Sequence, residues 1–193
     1  MAPKKVFILV GHPNKETLSG HIADTYEVAA KSAGHEVRRM NIGDLSFDPI
    51  LHMGYKAIQA LEPDLKTVQE NVKWADTFVL IFPTWWGDMP ALLKGLFDRA
   101  WLPGFAYNMN KNGLGWIKRL KGKQARIITT SATNHLILKF FFHVSYTHLR
   151  WLTLWFSGFS PVRMTRIGDV EKITPNRVAR FDKRVSALGR KAK

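Results

Sequence analysis

Two adjacent tryptophans and a glycine, Trp85-Trp86-Gly87, sit between Pro83-Thr84 and Asp88-Met89-Pro90. An apolar run, Thr77 to Phe82, leads in, and an amphipathic segment opening at Pro90 leads out. That layout is a strand, a loop and a helix whose first turn accepts proline because its N–H has no partner anyway. Both indoles do not easily bury in so short a loop. At least one is free to offer a flat apolar face to a planar ligand.

Two further loops carry residues suited to the same ligand. Gly11-His12-Pro13-Asn14-Lys15-Glu16-Thr17-Leu18-Ser19-Gly20 joins a short apolar run, Val6 to Val10, to a helical segment. Free N–H groups at that helix start favour an anion, with the helix dipole behind them and Thr17 and Ser19 as hydroxyl donors. Thr17 is equally suited to capping the helix. The other loop, Thr129-Thr130-Ser131-Ala132-Thr133-Asn134, is small and hydroxyl-rich. It lets a ligand approach the backbone, although alone it reads as an ordinary turn. The patterns G-x-G-x-x-G and G-x-x-x-x-G-K-[ST] are absent, which removes the main support for a dinucleotide Rossmann or P-loop site.

The elements that must position these loops alternate along the chain. Strands are expected at Val6–Val10, Glu36–Ile42, Thr77–Phe82, Gln124–Thr130 and Ser160–Arg166. Helices are expected at Leu18–Ser32 (stopped by Gly34), Tyr55–Trp74 (broken at Pro63), Pro90–Trp101 and Pro175–Gly189, with an aromatic-rich helical stretch from Leu136 to Phe159. Alternation of this kind argues for a parallel sheet with helices on both faces, a three-layer α/β sandwich. The first, third and fourth strands are the most apolar and belong in the centre, giving the order 2-1-3-4-5. Ligands in such sheets bind at the carboxyl ends of the strands beside the switch point. The loops after Val10, Phe82 and Thr130 are therefore expected to meet at one place.

Composition fixes the frame. A chain of 193 residues with 46% apolar and 23% charged side chains is expected to form one domain, residues 1–193, with a full core. It has no cysteine, so disulfides and thiolate metal sites are excluded. No other metal site is indicated. Leu136 to Phe159 is the most apolar window, but Lys139, His143, His148 and Arg150 interrupt it, which argues against a bilayer span. A cytoplasmic protein is expected. The net charge of +14 invites a nucleic-acid reading. Against it, the densest basic stretch, Arg177 to Lys193, has the spacing of a solvated helix face around Val178, Phe181, Val185 and Leu188. The same charge would draw in anionic nucleotides.

Longer motifs now point one way. Leu9-Val10-Gly11-His12-Pro13-Asn14, Phe47-Asp48-Pro49-Ile50, Trp74-Ala75-Asp76, Pro90-Ala91-Leu92-Leu93-Lys94-Gly95-Leu96-Phe97-Asp98-Arg99, Leu102-Pro103-Gly104-Phe105-Ala106-Tyr107, Ile128-Thr129-Thr130 and Ser160-Pro161-Val162 stand in this order. Together they make the chain resemble the flavodoxin-like NAD(P)H:quinone oxidoreductases of the DT-diaphorase type. The resemblance implies a flavin-dependent NAD(P)H dehydrogenase (quinone). In such an enzyme hydride passes from NADPH or NADH to the flavin N5 and then to a quinone or similar flat acceptor by a ping-pong route. It implies that His12, Thr17, Leu18 and Ser19 hold the flavin phosphates. Pro83, Thr84, Trp85, Trp86 and Gly87 would run along the ring, and Thr129, Thr130, Ser131 and Ala132 would lie on its other side. Tyr107 would line a substrate pocket completed by the second subunit of a homodimer, and the aromatic residues at 140–142 and 151–156 suit that interface.

Two departures are visible. Ser131-Ala132 stands where better-known members have a glycine pair. Counting on without gaps puts Ile137 where they have an assisting tyrosine, and His143 where they have an assisting histidine. The resemblance implies FMN or FAD as the cofactor. The interval from Pro49 to Trp74 is short for the FAD-binding members, which favours FMN. An electron-carrier flavodoxin is expected to be acidic, unlike this chain. An ancillary flavoprotein subunit of a potassium efflux system is the alternative function that the resemblance leaves open.

Overall fold

The computed structural model describes residues 2–112, 114–141 and 146–193. Its central sheet is five-stranded and parallel throughout, in the order β2-β1-β3-β6-β7, where β1 is Lys5–Val10, β2 Glu36–Asn41, β3 Thr77–Pro83, β6 Gln124–Thr130 and β7 Val162–Ile167. Counting the sheet's own strands along the chain, this is the expected order 2-1-3-4-5. The remaining pair, β4 (Tyr107–Met109) and β5 (Trp116–Lys118), forms a separate antiparallel hairpin that the apolar pattern did not suggest.

The continuous apolar runs are explained by burial on both faces. Val6, Ile8, Val10, Val79 and Ile81 pack on one side with Ile22, Ala23 and Tyr26 of α1 (Leu18–Ser32) and Phe181 and Val185 of the last helix, Pro175–Arg190. Phe7, Leu9, Phe78, Leu80 and Phe82 pack on the other with Leu65, Val68 and Val72 of α2 (Pro63–Trp74) and Leu93, Leu96 and Phe97 of α3 (Ala91–Ala100). A strand covered on both sides needs no polar alternation.

Two helical expectations change. The segment from Tyr55 does not join α2, which begins with Pro63 at its first position. Ile58, read as part of an apolar helix stripe, is fully exposed at 101%. The backbone there is held instead by Arg99 of α3, 1% exposed, whose guanidinium donates to the carbonyls of Asp48 and Ala60 and to Glu62. A buried cation that satisfies loop carbonyls removes the need for helical hydrogen bonds. The aromatic-rich stretch is not one helix either. It contains α4 (His135–Phe140) and a π-helix (His148–Trp155), with Tyr146 between them in the left-handed region at φ 51. We number the last helix, Pro175–Arg190, α5.

The ladder brings the strand ends level. Gly11 N–H donates to Ile81 O (2.7 Å), Thr84 N–H to Thr130 O (2.7 Å) and Ser131 N–H to Ile167 O (3.0 Å). Each bond lies one residue beyond a strand, so the loops after β1, β3 and β6 leave the sheet side by side.

Candidate functional site

The loop after β1 is folded on itself before α1 starts. Asn14 N–H donates to His12 Nδ1 (2.9 Å), which leaves Nε2 as the ring's donor. The Thr17 hydroxyl donates back to Asn14 O (3.2 Å), and no side chain caps α1. The alternative of N-capping by Thr17 is therefore not what the structure shows. The first-turn amides of Leu18, Ser19 and Gly20 have no partner inside the helix and suit an anion. Ser19 itself is buried, so its contribution there is the backbone.

The loop after β3 is a tight reversal. Trp85 N–H donates to Asp88 O (2.8 Å) and Asp88 N–H to Trp85 O (3.0 Å), closing two residues between them. Those residues, Trp86 and Gly87, have φ 50 and 81. Two positive φ values in a two-residue connection define a type I′ turn, in which glycine is at ease and tryptophan is not. The turn throws the Trp86 ring fully into solvent, while Trp85 is half exposed and meets the His12 ring edge-on at 5.3 Å. That contact joins the first and second loops.

Between the second and third loops lies a cavity of about 600 Å³ lined by Thr84, Trp86, Gly87, Ser131, Ala132, Thr133 and Leu138. Thr129 and Thr130 are buried behind it, and Pro83 pairs with Thr130 in the sheet. Ser131 is fixed at both ends, its carbonyl accepting from Val170 N–H (3.1 Å) and its hydroxyl donating to Thr133 O (2.7 Å). The expected ring residues thus divide into a lining group and a supporting group.

Tyr107 does not share this cavity. It lines a smaller one of about 280 Å³ with Tyr55, Met89, Trp101, His148 and Phe156, and its ring meets Phe156 edge-on at 5.1 Å. Burial, and then Tyr55, raises its phenol above the ordinary value. His143 lies outside the described residues. Sequence reasoning passed over two side chains that brace the β3 loop. Buried Tyr146 hydrogen-bonds the Thr84 hydroxyl, and burial pushes its own pKa up. His148 Nε2 lies 3.2 Å from Asp88 Oδ1. Neither had a local signal beyond the aromatic richness of the stretch. Among the described residues no cluster of three metal-ligating side chains occurs, and no helix is long and apolar enough to cross a membrane.

Comparison with known proteins agrees with this geometry. Residues 4–190 match the family described by a flavodoxin-like fold. The chain is 26% identical over 137 residues to an uncharacterised NAD(P)H oxidoreductase of Escherichia coli, a stretch covering 66% of this chain and 70% of that one. It is 27% identical over 187 residues to the ribosyldihydronicotinamide dehydrogenase (quinone) of Pongo abelii, covering 82% of this chain and 79% of the relative. The NAD(P)H:quinone oxidoreductase of Methanothermobacter marburgensis superposes with a TM-score of 0.83 at 23% identity, covering 100% of both chains, and supports the fold. The chain therefore belongs to the family of the flavodoxin-like fold, and the resemblance of its motifs to the NAD(P)H:quinone oxidoreductases of that fold is borne out.

Proposed function

We propose that this protein is a flavin-dependent NAD(P)H:quinone oxidoreductase, built as one domain over residues 1–193, with the flavin between the β3 and β6 loops. The reading rests above all on one observation. The Trp86-Gly87 turn and the Ser131–Thr133 loop face each other across a single cavity of about 600 Å³, within the range of small-molecule sites. The residues fit the cofactor at both ends. An uncapped α1 offers amides to a phosphate, and Gly87, which has no side chain, lines the cavity with its backbone.

A bound flavin, FMN or FAD, supplies the redox chemistry by taking two electrons from NAD(P)H and giving them to a quinone in alternating use of one site. The chain's own part is to bind and orient. Trp86 presents a ring for stacking, and Thr84 is held by Tyr146 below it. Asp88, tied to His148, fixes the turn from the other side. His12, Thr17, Leu18 and Ser19 take the phosphate end, and Thr129 to Ala132 support the far wall. Tyr107 and His143 are assigned to the acceptor side, His143 on its place in the sequence alone.

Tyr107 sits apart from the ring cavity within one chain, which fits a homodimer in which it serves the partner's site. An apolar belt is exposed around it: Tyr55, Met109, Ile117, Trp151, Leu152 and Trp155. Single exposed apolar residues are ordinary, but a cluster of this kind marks an interface. We place the enzyme in the cytoplasm.

The visible absorption spectrum of the purified protein, or of the protein after incubation with FMN or FAD, tests the reading. Bound flavin bands should bleach on adding NADPH or NADH without oxygen and return on adding a quinone. A protein that takes up neither flavin, or whose bound flavin neither nicotinamide can reduce, would overturn it. Mass spectrometry of the released cofactor assigns FMN or FAD.

A further inference from the structure

The strand order sets β1 and β7 on opposite sides of the β3–β6 pair whose ends hold the ring cavity. The β1 side carries the uncapped start of α1. The β7 side carries a different feature, a groove of about 310 Å³ lined by Arg166, Arg177, Arg180 and Arg184 around Gly168 and Phe181. None of its lining residues is acidic.

The four arginines are not equivalent. Arg177 is committed to the loop itself, donating to Gly168 O (2.8 Å) and Asp169 O (3.3 Å) and lying 3.6 Å from the Asp169 carboxylate. Arg180 and Arg184 are exposed, one turn apart on α5, and among the described residues neither pairs with a carboxylate. Like charges at that spacing weaken a helix rather than support it. The potential is positive beyond the groove as well. The buried Arg126 guanidinium is held below its ordinary value by burial and, against Tyr26, by Arg163 and Arg184. A multiply charged anion between Arg180 and Arg184 would offset this repulsion.

The groove and the ring cavity share a wall. Ser131 lines the cavity, Ile167 and Gly168 line the groove, and the two sides are joined by the Ser131 N–H to Ile167 O bond. A ligand reaching over this single layer of backbone can place a flat ring on one side and a phosphate on the other. On the reading above, the cofactor's phosphate is held on the β1 side, which leaves the β7 side to a second molecule.

We propose that the arginine groove seats the 2′-phosphate of NADPH, with Arg180 and Arg184 as the residues that select it over NADH. The inference rests on the oxidoreductase reading above. A 2′-phosphate is the charged group by which the two donors differ, and guanidinium forks match its oxygens two at a time.

The test is the double substitution Arg180→Gln/Arg184→Gln, compared with the unaltered protein after both are loaded with flavin. The unaltered protein should favour NADPH in kcat/KM, and the substitution should lower that preference about tenfold, the order expected for two charge-assisted contacts open to solvent. Flavin affinity should not change, and the melting temperature should not fall, since the substitution also relieves the like-charge pair. Calorimetry with 2′,5′-ADP gives a readout independent of turnover: binding by the unaltered protein, about tenfold weaker in the variant, and tighter than binding of 5′-ADP. Equal binding of 2′,5′-ADP and 5′-ADP would overturn the inference and leave the enzyme reading intact. A fall in flavin affinity would give the groove to the cofactor and overturn it too. Failure of the flavin-loaded, unaltered protein to oxidise either nicotinamide would overturn the oxidoreductase reading, with the calorimetry still deciding the groove.

Discussion

At Trp86 local stability and proposed function pull in opposite directions. An indole at φ 50 occupies the first position of a type I′ turn, where a residue with a Cβ costs about 1–2 kcal/mol relative to glycine. Its ring is fully exposed, so packing within the chain returns nothing for that strain. The strained residue lines the cavity, which is the usual place to find such strain. Trp86→Gly should therefore raise the unfolding free energy by up to about 1 kcal/mol in urea titration. Flavin affinity, followed by quenching of flavin fluorescence, should fall about tenfold through loss of a stacking face. A variant that is less stable, or that holds flavin as tightly, would count against the role given to the ring. That at least one indole of the pair stays outside the core was legible in the sequence. Which of the two points outward was not, because that depends on the cross-turn pairing of Trp85 with Asp88. Tyr146 and His148 were illegible for a related reason: their partners Thr84 and Asp88 lie 62 and 60 residues away.

Among the elements, α3 anchors the 48–62 segment, whose Tyr55 lines the Tyr107 cavity. Its Gly95 lies against the Pro49 segment so closely that an added Cβ would stand 2.5 Å from the Pro49 Cβ and 2.7 Å from its carbonyl oxygen. One turn later Arg99 gathers Asp48, Ala60 and Glu62. Glycine and arginine at this spacing read as ordinary helix residues until the loop is seen folded over them. Gly95→Ala should cost about 1–3 kcal/mol, since backbone rather than a side-chain tip must yield. Arg99→Ala should cost about 1–3 kcal/mol by leaving the carbonyls of Asp48 and Ala60 without their donor and Glu62 without its cation. Chemical denaturation measures both, and a change under about 0.5 kcal/mol at either position would refute the anchoring account. The sheet was far more legible than this loop. Burial on both faces wrote β1, β3 and β6 into the chain as unbroken apolar runs, and their ranking by apolarity gave the order. Strands of three residues, as in β4 and β5, leave no such trace. Pro63 marked the start of α2, but periodicity could not show that the helix does not reach back to Tyr55, because Ala57 and Ile58 continue the apolar spacing by coincidence.

For the molecule as a whole, the buried phenols set the alkaline limit of stability. Burial raises the pKa of Tyr26, Tyr107 and Tyr146 above the ordinary 10.0. The folded state therefore holds these protons at a pH where the unfolded chain has released them, and stability falls as pH rises above about 10. Lys118 and Lys123 act in the opposite sense. Burial lowers their pKa below 10.5, so the unfolded chain holds more protons and stability rises with pH, but only up to about 10.5. Self-repulsion from the net charge of +14 is not the cause of an alkaline decline, because that charge passes through zero near pH 10.2. Above about pH 10.5 the three phenols are opposed, among the described residues, only by Arg126, whose burial lowers its pKa in the same sense as the lysines, and the urea midpoint should drop from there. The acid limit follows from carboxylates. Hydrogen bonds from Asn41 to Asp44 and from the Ile50 amide to Asp48 hold both groups below 3.8. At Glu62 burial acts upward, but bonds from its own amide, the Asp48 amide and Arg99 together outweigh it. Stability should therefore be lost as pH falls below about 4, through the depressed values. Tyr26 is the most deeply buried of the three phenols, on α1 and in one core cluster with Phe181 and Val185 of α5, and its shift is the largest. Tyr26→Phe keeps the ring and removes the titration, so it should flatten most of the decline between pH 10.5 and 12 while changing the midpoint little at pH 8. If the variant loses stability with pH as steeply as the unaltered protein, the alkaline limit arises elsewhere in the molecule.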